Sequence, residues 1–212
     1  MRRFCLILIL GTAMLGLPAQ ADAVTKRTTT FIAKFEGFVP CPYADPAGHA
    51  TIGYGHLLHY GPPTKADRKK WGCITEAQGM KLLRKDLKSY ETAVLDRIAG
   101  ARVTPNMVTA LTSFAFNLGP GALDLNWHKG AKRHTNIAWH VLQGNYRRAG
   151  KEILLYDGII VGGKRVELEG LRIRRRKEFR LMVKDINKLR KCKSACKSSP
   201  GTKSSSGGIR PG

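Results

Sequence analysis

Acidic residues are scarce in this sequence of 212 residues, which has 15 Asp and Glu against 37 Lys and Arg and a formal net charge of +22. Such an imbalance favours encounters with polyanions, including nucleic acid, anionic membranes and envelope polymers. Charge alone does not choose among these partners. No internal repeat is visible, and apolar residues make up 42% of the chain, which is enough for the core of one domain with appendages.

Long apolar runs are also lacking, with one short exception near the N-terminus. A basic start at Arg2 precedes an apolar run over residues 4–17 and an A-x-A site that ends at Ala21. The run is shorter than the roughly 20 apolar residues of a membrane span. This pattern predicts a secretory signal over residues 1–21 and export to the periplasm or beyond the cell. A retained anchor, or a signal that is held in the membrane and later released, is the alternative.

Cysteines are few, and the C-x2-C spacing of zinc sites is missing, which argues against a metal centre. Four cysteines would remain after removal of the signal: Cys41, Cys73, Cys192 and Cys196. An oxidising compartment favours disulfides, and four cysteines allow three pairings. We expect Cys41 to pair with Cys73 and Cys192 with Cys196, although the second pair lies one helical turn apart, a poor geometry for a bridge.

Capping and turn signals in the first half of the chain predict a short helix, a small sheet and two long helices. Thr30 is expected to cap a helix from Phe31 to Glu36. The segment from Tyr43 to Tyr54 predicts a β-hairpin or a three-stranded sheet. Longer helices are expected over Thr75–Ala99, opened by a Thr75–Gln78 capping box, and from Thr104-Pro105 to Leu118.

The second half of the chain is predicted to be mainly helical, which gives an α+β order. Weaker helical stretches lie near residues 136–143 and 147–155, and residues 158–163 predict a turn or hairpin. The last helix is expected over about residues 170–191, with its inner face formed by Leu171, Phe179, Val183 and Ile186. Residues 192–212 are rich in Ser, Gly and Lys and predict a disordered basic tail after a folded domain over residues 22–191.

Two carboxylates, Glu36 and Asp45, are the candidate catalytic residues. Cleavage of a glycosidic bond needs an acid that protonates the leaving oxygen and a second group that assists water or forms a covalent bond. Phe35 and Phe38 flank Glu36, and apolar surroundings would favour its protonated form. Asp45 lies in a polar, turn-rich stretch and should stay ionised. The Thr51 hydroxyl could hold a water against Asp45.

Taken alone, a Glu and an Asp nine residues apart are weak evidence for a site. Together, Glu36-Gly37, Asp45 and the run T-I-G-Y-G-H from Thr51 to His56 resemble the signature of the phage-type lysozymes, glycoside hydrolase family 24. The segments over residues 116–121 and 170–178 are similar to a later turn and helix of that family. The resemblance covers residues 28–188.

The resemblance implies a lysozyme-like α+β fold, with a small antiparallel β-sheet lobe and a mainly helical lobe. It also implies hydrolysis of the β-1,4 bond between N-acetylmuramic acid and N-acetylglucosamine in peptidoglycan, with inversion and without a metal or organic cofactor. Glu36 would be the general acid, and Asp45 and Thr51 would position and activate the attacking water. Substrate-binding residues are expected at Tyr54, Gly55 and Asn117.

Several of these residues have a structural alternative. Tyr54 could line the sugar groove or fill the small sheet, and Asn117 could touch substrate or cap a helix. His56 could act as a base, but a structural histidine bonded to a nearby acid is the preferred interpretation. Arg174 and Arg175 could hold the late helix in place. The tryptophans could stack on sugars or pack in the protein: Trp71, Trp127 and Trp139.

Two rival functions remain. The chain could be a non-enzymatic cationic protein on a lysozyme scaffold, in which the basic C-terminal region binds or disrupts anionic envelope polymers or membrane surfaces. Nucleic-acid binding is permitted by charge, but no nucleic-acid module is recognisable, so no specific nucleic acid is expected. Peptidoglycan is the expected substrate of a monomer. The residues do not distinguish phage lysis from a bacterial weapon or self-remodelling.

Overall fold

The computed structural model of the protein describes residues 26–124 and 136–189. These residues fall into two compact units, divided between Ser89 and Tyr90. The predicted signal over 1–21 and tail over 192–212 lie outside the described residues, as do Trp127, Cys192 and Cys196.

The first unit has a short helix, a three-stranded antiparallel sheet in the order β1-β2-β3, and two further helical segments. Its elements are α1 (residues 26–33), β1 (Val39–Ala44), β2 (Ala50–Gly53), β3 (His56–His59), α2 (Lys65–Trp71) and the first part of α3 (Glu76–Arg97). The predicted sheet is confirmed. The predicted bounds of the first helix are wrong, because Thr30 lies inside α1, where its Oγ1 donates to the Lys26 carbonyl at 3.1 Å. A side chain that bonds back to the preceding turn is not a cap.

Local capping signals set the start of the helices. The predicted box of α3 is present, since the Thr75 amide donates to Gln78 Oε1 at 2.7 Å and the Gln78 amide donates to Thr75 Oγ1 at 3.3 Å. Thr64 and Asp67 form an equivalent box at the start of α2, a helix that the sequence patterns did not predict. None of the residues in α2 is buried, so it has no apolar stripe by which it could have been recognised.

The second unit is mainly helical and packs around α4. It contains the rest of α3, α4 (Pro105–Leu118), a 3₁₀ helix (Pro120–Leu123), α5 (Ile137–Leu142), α6 (Tyr146–Ile153), β4 (Gly158–Val161), β5 (Lys164–Glu167) and α7 (Glu169–Lys184). All ten residues from Asn106 to Ala115 are buried. This part of the helix is therefore covered on every side, unlike a surface helix with one apolar stripe. The 158–163 segment belongs to the β4–β5 hairpin, as predicted.

The last helix differs from its prediction in length and in the residues that it buries. It ends at Lys184, and residues 186–189 form a further helical turn. The predicted inner face is half-buried, whereas the buried residues of α7 are Arg174, Arg175, Glu178 and Met182. Within residues 26–124 and 136–189, no helix is both long enough and apolar enough to cross a membrane.

Candidate active site

Glu36 lies in the turn that leaves α1. The amides of Phe35 and Glu36 both donate to the Ile32 carbonyl, at 2.9 and 3.3 Å. The Ile32 side chain is fully buried and fixes this end of the helix in the first unit. Glu36 itself is half-buried. The backbone thus holds the carboxyl-bearing residue beside the start of the sheet and leaves its side chain partly accessible to solvent.

Asp45 begins the β1–β2 turn, and backbone amides fix its carboxylate. Oδ1 accepts from the amides of Ala47 at 2.9 Å and His49 at 2.8 Å. The Asp45 amide donates to the His49 carbonyl at 2.9 Å, and the Gly48 amide donates to the Asp45 carbonyl at 2.8 Å. Gly48 has a φ of 83°, a conformation that glycine adopts without steric cost. The turn therefore orients one carboxylate oxygen and tightly defines the position of the other.

Thr51 lies on β2 directly opposite Tyr43 of β1. Its side chain is 3% exposed, and its hydroxyl donates to the His49 carbonyl at 3.1 Å. Opposite residues of an antiparallel pair project from the same face of the sheet, and so do residues two apart on one strand. Tyr43 and Thr51 therefore share one face of this sheet, and Asp45 follows directly after the end of β1.

Tyr43 connects the two candidate carboxylates electrostatically. Burial raises the pKa of the Tyr43 phenol above its ordinary value, and the negative charges of Asp45 and Glu36 raise it further. Both carboxylates thus act on the same hydroxyl. Tyr43 was not among the residues predicted for the site. Its position in the predicted sheet, two residues before Asp45, is the signal that could have identified it.

His56 and His59 hold the sheet to the helices that follow it. His56 Nδ1 lies 2.8 Å from an oxygen of Asp86, which is the bond to a nearby acid expected of a structural histidine. His59 Nε2 lies 2.9 Å from Asp67, and its Nδ1 lies 3.0 Å from the Tyr60 carbonyl. The Tyr60 carbonyl and the Asp67 carboxylate raise the pKa of His59.

Tyr54 is 6% exposed, and its ring lies 5.2 Å from that of Phe38. Its hydroxyl donates to Glu76 at 2.8 Å. This arrangement favours the packing interpretation of Tyr54, and substrate binding by this residue stays a prediction. Gly79 of α3 makes the packing possible, because a Cβ at this position would lie 2.7 Å from Phe38 Cε2. Gly55 is exposed in the β2–β3 turn, with a φ of 85°.

The Cys41–Cys73 disulfide is present, as predicted. It joins β1 to the segment that precedes α3, and the Ile74 amide next to it donates to the Pro40 carbonyl at 2.8 Å. Because Cys41 lies between Glu36 and Asp45 in the chain, the bridge restrains the segment that carries both carboxylates.

Asn117 belongs to the second unit and takes part in a buried charge cluster. Its Oδ1 accepts from Arg175 at 3.0 Å. Glu178 lies between two guanidinium groups, 2.9 Å from Arg175 and 3.4 Å from Arg174, and accepts from the Ser113 hydroxyl at 2.6 Å. Burial lowers the pKa of Arg175 to about 10 and raises that of Glu178. The arginines thus hold α7 on α4, the structural role considered for them, and substrate contact by Asn117 stays a prediction.

Trp71 and Trp139 have packing partners in the described structure. The Trp71 ring lies 6.1 Å from that of His56, and the Trp139 ring lies 4.9 Å from that of His140. Within residues 26–124 and 136–189, no group of three His, Cys, Asp or Glu side chains could hold a metal ion.

Known proteins similar to this chain include phage lysozymes and endolysins. A family model described as phage lysozyme matches residues 33–178. The endolysin of Bacillus phage B103 is 32% identical over 162 residues, which cover 76% of this chain and 54% of that protein. The SAR-endolysin of Haemophilus phage HP1 (strain HP1c1) is 31% identical over 176 residues, covering 79% of this chain and 86% of that protein. The chain thus spans about half the length of the first relative and most of the second.

A solved structure matches the fold. The endolysin from Escherichia coli O157:H7 phage FAHEc1 has a TM-score of 0.58 and 29% identity with this chain, and the match covers 74% of this chain and 90% of the other.

Proposed function

This chain belongs to the phage lysozyme family of glycoside hydrolases, and from that membership we propose that it is an exported muramidase. Its substrate is peptidoglycan, in which it hydrolyses the β-1,4 bond between N-acetylmuramic acid and N-acetylglucosamine. The observation that carries this proposal is the way the β1–β2 turn holds Asp45 and Thr51: backbone amides fix Asp45 Oδ1, and the Thr51 hydroxyl donates to the His49 carbonyl. Glycoside hydrolysis needs one carboxyl group as acid and a second that assists water, and Glu36 and Asp45 both act on the pKa of Tyr43.

The hydrogen bonds of Asp45 and Thr51 support a role in holding the attacking water. Both amides that bind Asp45 reach Oδ1, so Oδ2 is the oxygen that would accept a hydrogen from water. The Thr51 hydroxyl gives its own hydrogen to the His49 carbonyl, so a lone pair of Oγ1 would accept the second hydrogen. A water that donates to two fixed acceptors turns its own lone pairs away from both of them, toward the sugar.

In the proposed reaction, the Glu36 carboxyl gives its proton to the glycosidic oxygen as the bond from that oxygen to the anomeric carbon breaks. The water oxygen forms the new bond to the anomeric carbon from the opposite face, and its proton passes to Asp45. Glu36 ends as a carboxylate and Asp45 as an acid, and exchange with solvent restores both. A single displacement of this kind inverts the anomeric configuration.

The test is the clearing of a peptidoglycan suspension by Glu36→Gln, which keeps the size of the side chain and removes the transferable proton. General acid catalysis contributes roughly 10²–10⁴-fold to rate, so the clearing rate should fall by about that factor. Glu169→Gln is the matched control, because it removes an exposed carboxylate whose ion-pair partner in the described structure is Arg172, on the same helix. Thermal unfolding should match the wild type in both variants. Undiminished clearing by Glu36→Gln would refute the assignment.

A cationic envelope-binding protein on a lysozyme scaffold is the second candidate. It is favoured by the exposed positive side chains of α7, including Arg176, Arg180 and Lys184. Under this alternative, Glu36→Gln would still permeabilise cells. Export is proposed from the N-terminal pattern, and N-terminal sequencing of the protein recovered outside the cytoplasm would show whether the chain is cut after Ala21.

A further inference from the structure

The second unit contains a groove of about 860 Å³ that the proposed hydrolysis does not use. Its lining comes from the turn after α3, the α5–α6 connection, α6 and the last helical turn. We name it the α6 groove and define it by residues 100–102, 142–148, Lys151, Ile186 and Leu189. Its volume lies within the roughly 300–1,000 Å³ of typical ligand sites.

The floor of the α6 groove is apolar and fixed to the core. Tyr146, Ile186 and Leu189 are half-buried and pack against the hydrophobic core of the second unit. The Tyr146 hydroxyl donates to the Arg102 carbonyl, which ties α6 to the turn after α3. Leu142 adds a side chain that is 44% exposed. The groove therefore presents a rigid apolar surface to solvent.

Four exposed cations surround this floor: Arg102, Arg147, Arg148 and Lys151. Among residues 26–124 and 136–189, no acidic side chain lines the groove. In the part of the chain that the structure describes, none of the four forms an ion pair. Four uncompensated positive charges around an apolar floor are complementary to an anion that carries an apolar portion.

The charge of the groove argues against the protein's own C-terminal segment as its occupant. Residues 190–212 carry six Lys and Arg and no Asp or Glu, so the cationic rim would repel them. A soluble polyanion would satisfy the rim but would gain nothing from the apolar floor. An anionic lipid satisfies both, because it joins a phosphate to acyl chains.

We propose that the α6 groove docks the protein on membranes that contain anionic phospholipid. The lipid phosphate contacts the guanidinium groups of the rim, and the upper acyl region lies against Leu142 and Tyr146. This site is distinct from the exposed face of α7 and does not depend on the proposed hydrolysis. Docking here would keep the enzyme at the membrane that borders its polymer substrate.

The test uses the full chain and vesicles of phosphatidylcholine with and without phosphatidylglycerol, with binding measured by co-sedimentation. The double variant Arg147→Gln/Arg148→Gln removes two rim charges. Each cation near an anionic surface contributes about 1 kcal/mol, so the affinity should fall about 30-fold. The matched control Lys85→Gln/Lys88→Gln removes the same charge from exposed positions of α3 and should lose about threefold or less. Equal losses in both doubles would mean that net charge alone binds the membrane, and would overturn the proposal.

A second variant, Leu142→Gln, tests the floor. Loss of the apolar contact should weaken vesicle binding about tenfold and leave binding to soluble polyphosphate unchanged. In the opposite pattern, Leu142→Gln binds vesicles normally, whereas Arg147→Gln/Arg148→Gln no longer binds polyphosphate. That result would assign the groove to a soluble polyanion and overturn the membrane proposal. Both groove variants should clear lipid-free peptidoglycan at the wild-type rate, and Glu36→Gln should still bind vesicles. Failure of the docking proposal and failure of the hydrolysis proposal are thereby distinguishable.

Discussion

Replacing Glu178 by glutamine should strongly destabilise the second unit. The residue is fully buried between Arg174 and Arg175. Glutamine keeps the shape but removes the carboxylate that lies between the two buried guanidinium groups, so that both lose a charged partner at 2.9–3.4 Å. Removing one partner of a buried ion pair costs about 3–5 kcal/mol. We take the lower end, because burial already opposes the charged forms, as the raised pKa of Glu178 and the lowered pKa of Arg175 indicate.

A loss of about 3 kcal/mol corresponds to a decrease of about 6–12 °C in the unfolding midpoint for a chain of this size, which circular dichroism or calorimetry would measure. Glu169→Gln serves as the control on the same helix. Its carboxylate is exposed and pairs with Arg172, so its loss should cost less than about 0.5 kcal/mol. If Glu178→Gln unfolds at the same temperature as Glu169→Gln, the cluster does not hold α7 in place and the reasoning is wrong.

Three further predictions concern the first unit. Reducing the Cys41–Cys73 disulfide, whose cysteines are 32 residues apart, should lower the free energy of unfolding by about 4 kcal/mol, because the unfolded chain gains entropy. The urea midpoint of unfolding should therefore fall, and an unchanged midpoint would show that the bridge does not stabilise the protein. Gly79→Ala should destabilise the protein by about 1–2 kcal/mol, because the new methyl group would clash with the Phe38 ring. This overpacking outweighs the gain in helix propensity. A stabilised variant would contradict the close packing of Phe38 against Gly79. His59→Gln should flatten the pH dependence of the free energy of unfolding near and above about pH 6.5. The pKa of His59 is raised in the folded protein, so the protonated histidine stabilises the fold below its pKa in the unfolded chain, about 6.5. This contribution is lost as the pH rises through the pKa of the folded state. If the free energies of unfolding of wild type and variant change with pH in parallel over that range, the contact between His59 and Asp67 does not stabilise the fold as proposed.

Local sequence signals were sufficient to predict those features that depend on neighbouring residues alone. The Thr75–Gln78 box and Thr104 before Pro105 correctly placed the starts of α3 and α4, because each cap is completed within one helical turn. The turn at residues 162–163 was equally local, since both glycines have positive φ values. These features need no knowledge of the rest of the chain.

Long-range contacts could not be deduced in the same way. The predicted inner face of the last helix was incomplete: Val183 and Ile186 pack against the core, but the deepest positions also hold Glu178 and its arginines, which satisfy one another inside the protein. Periodicity treats such residues as surface charges. The closeness of Gly79 to Phe38 likewise depends on how α3 crosses the sheet, which no pattern of spacing reports.

The sequence predicted which residues belong to the candidate site, but not the contacts that orient them. The spacing of Glu36, Asp45 and Thr51 pointed to the chemistry through a family resemblance. The contacts that define their geometry are backbone ones, such as the amides of Ala47 and His49 on Asp45. Tyr43 was missed because its role follows from strand register, which places it opposite Thr51.

The most direct test of the proposed chemistry is the identity and configuration of the sugar end released from peptidoglycan. Fresh digests should be followed by proton NMR before the new reducing ends equilibrate. A water held by Asp45 and Thr51 predicts N-acetylmuramic acid at the new reducing end, formed first as the α anomer. A β anomer would contradict the single displacement and make Asp45 a covalent nucleophile, and release of any other reducing sugar would contradict the muramidase assignment itself.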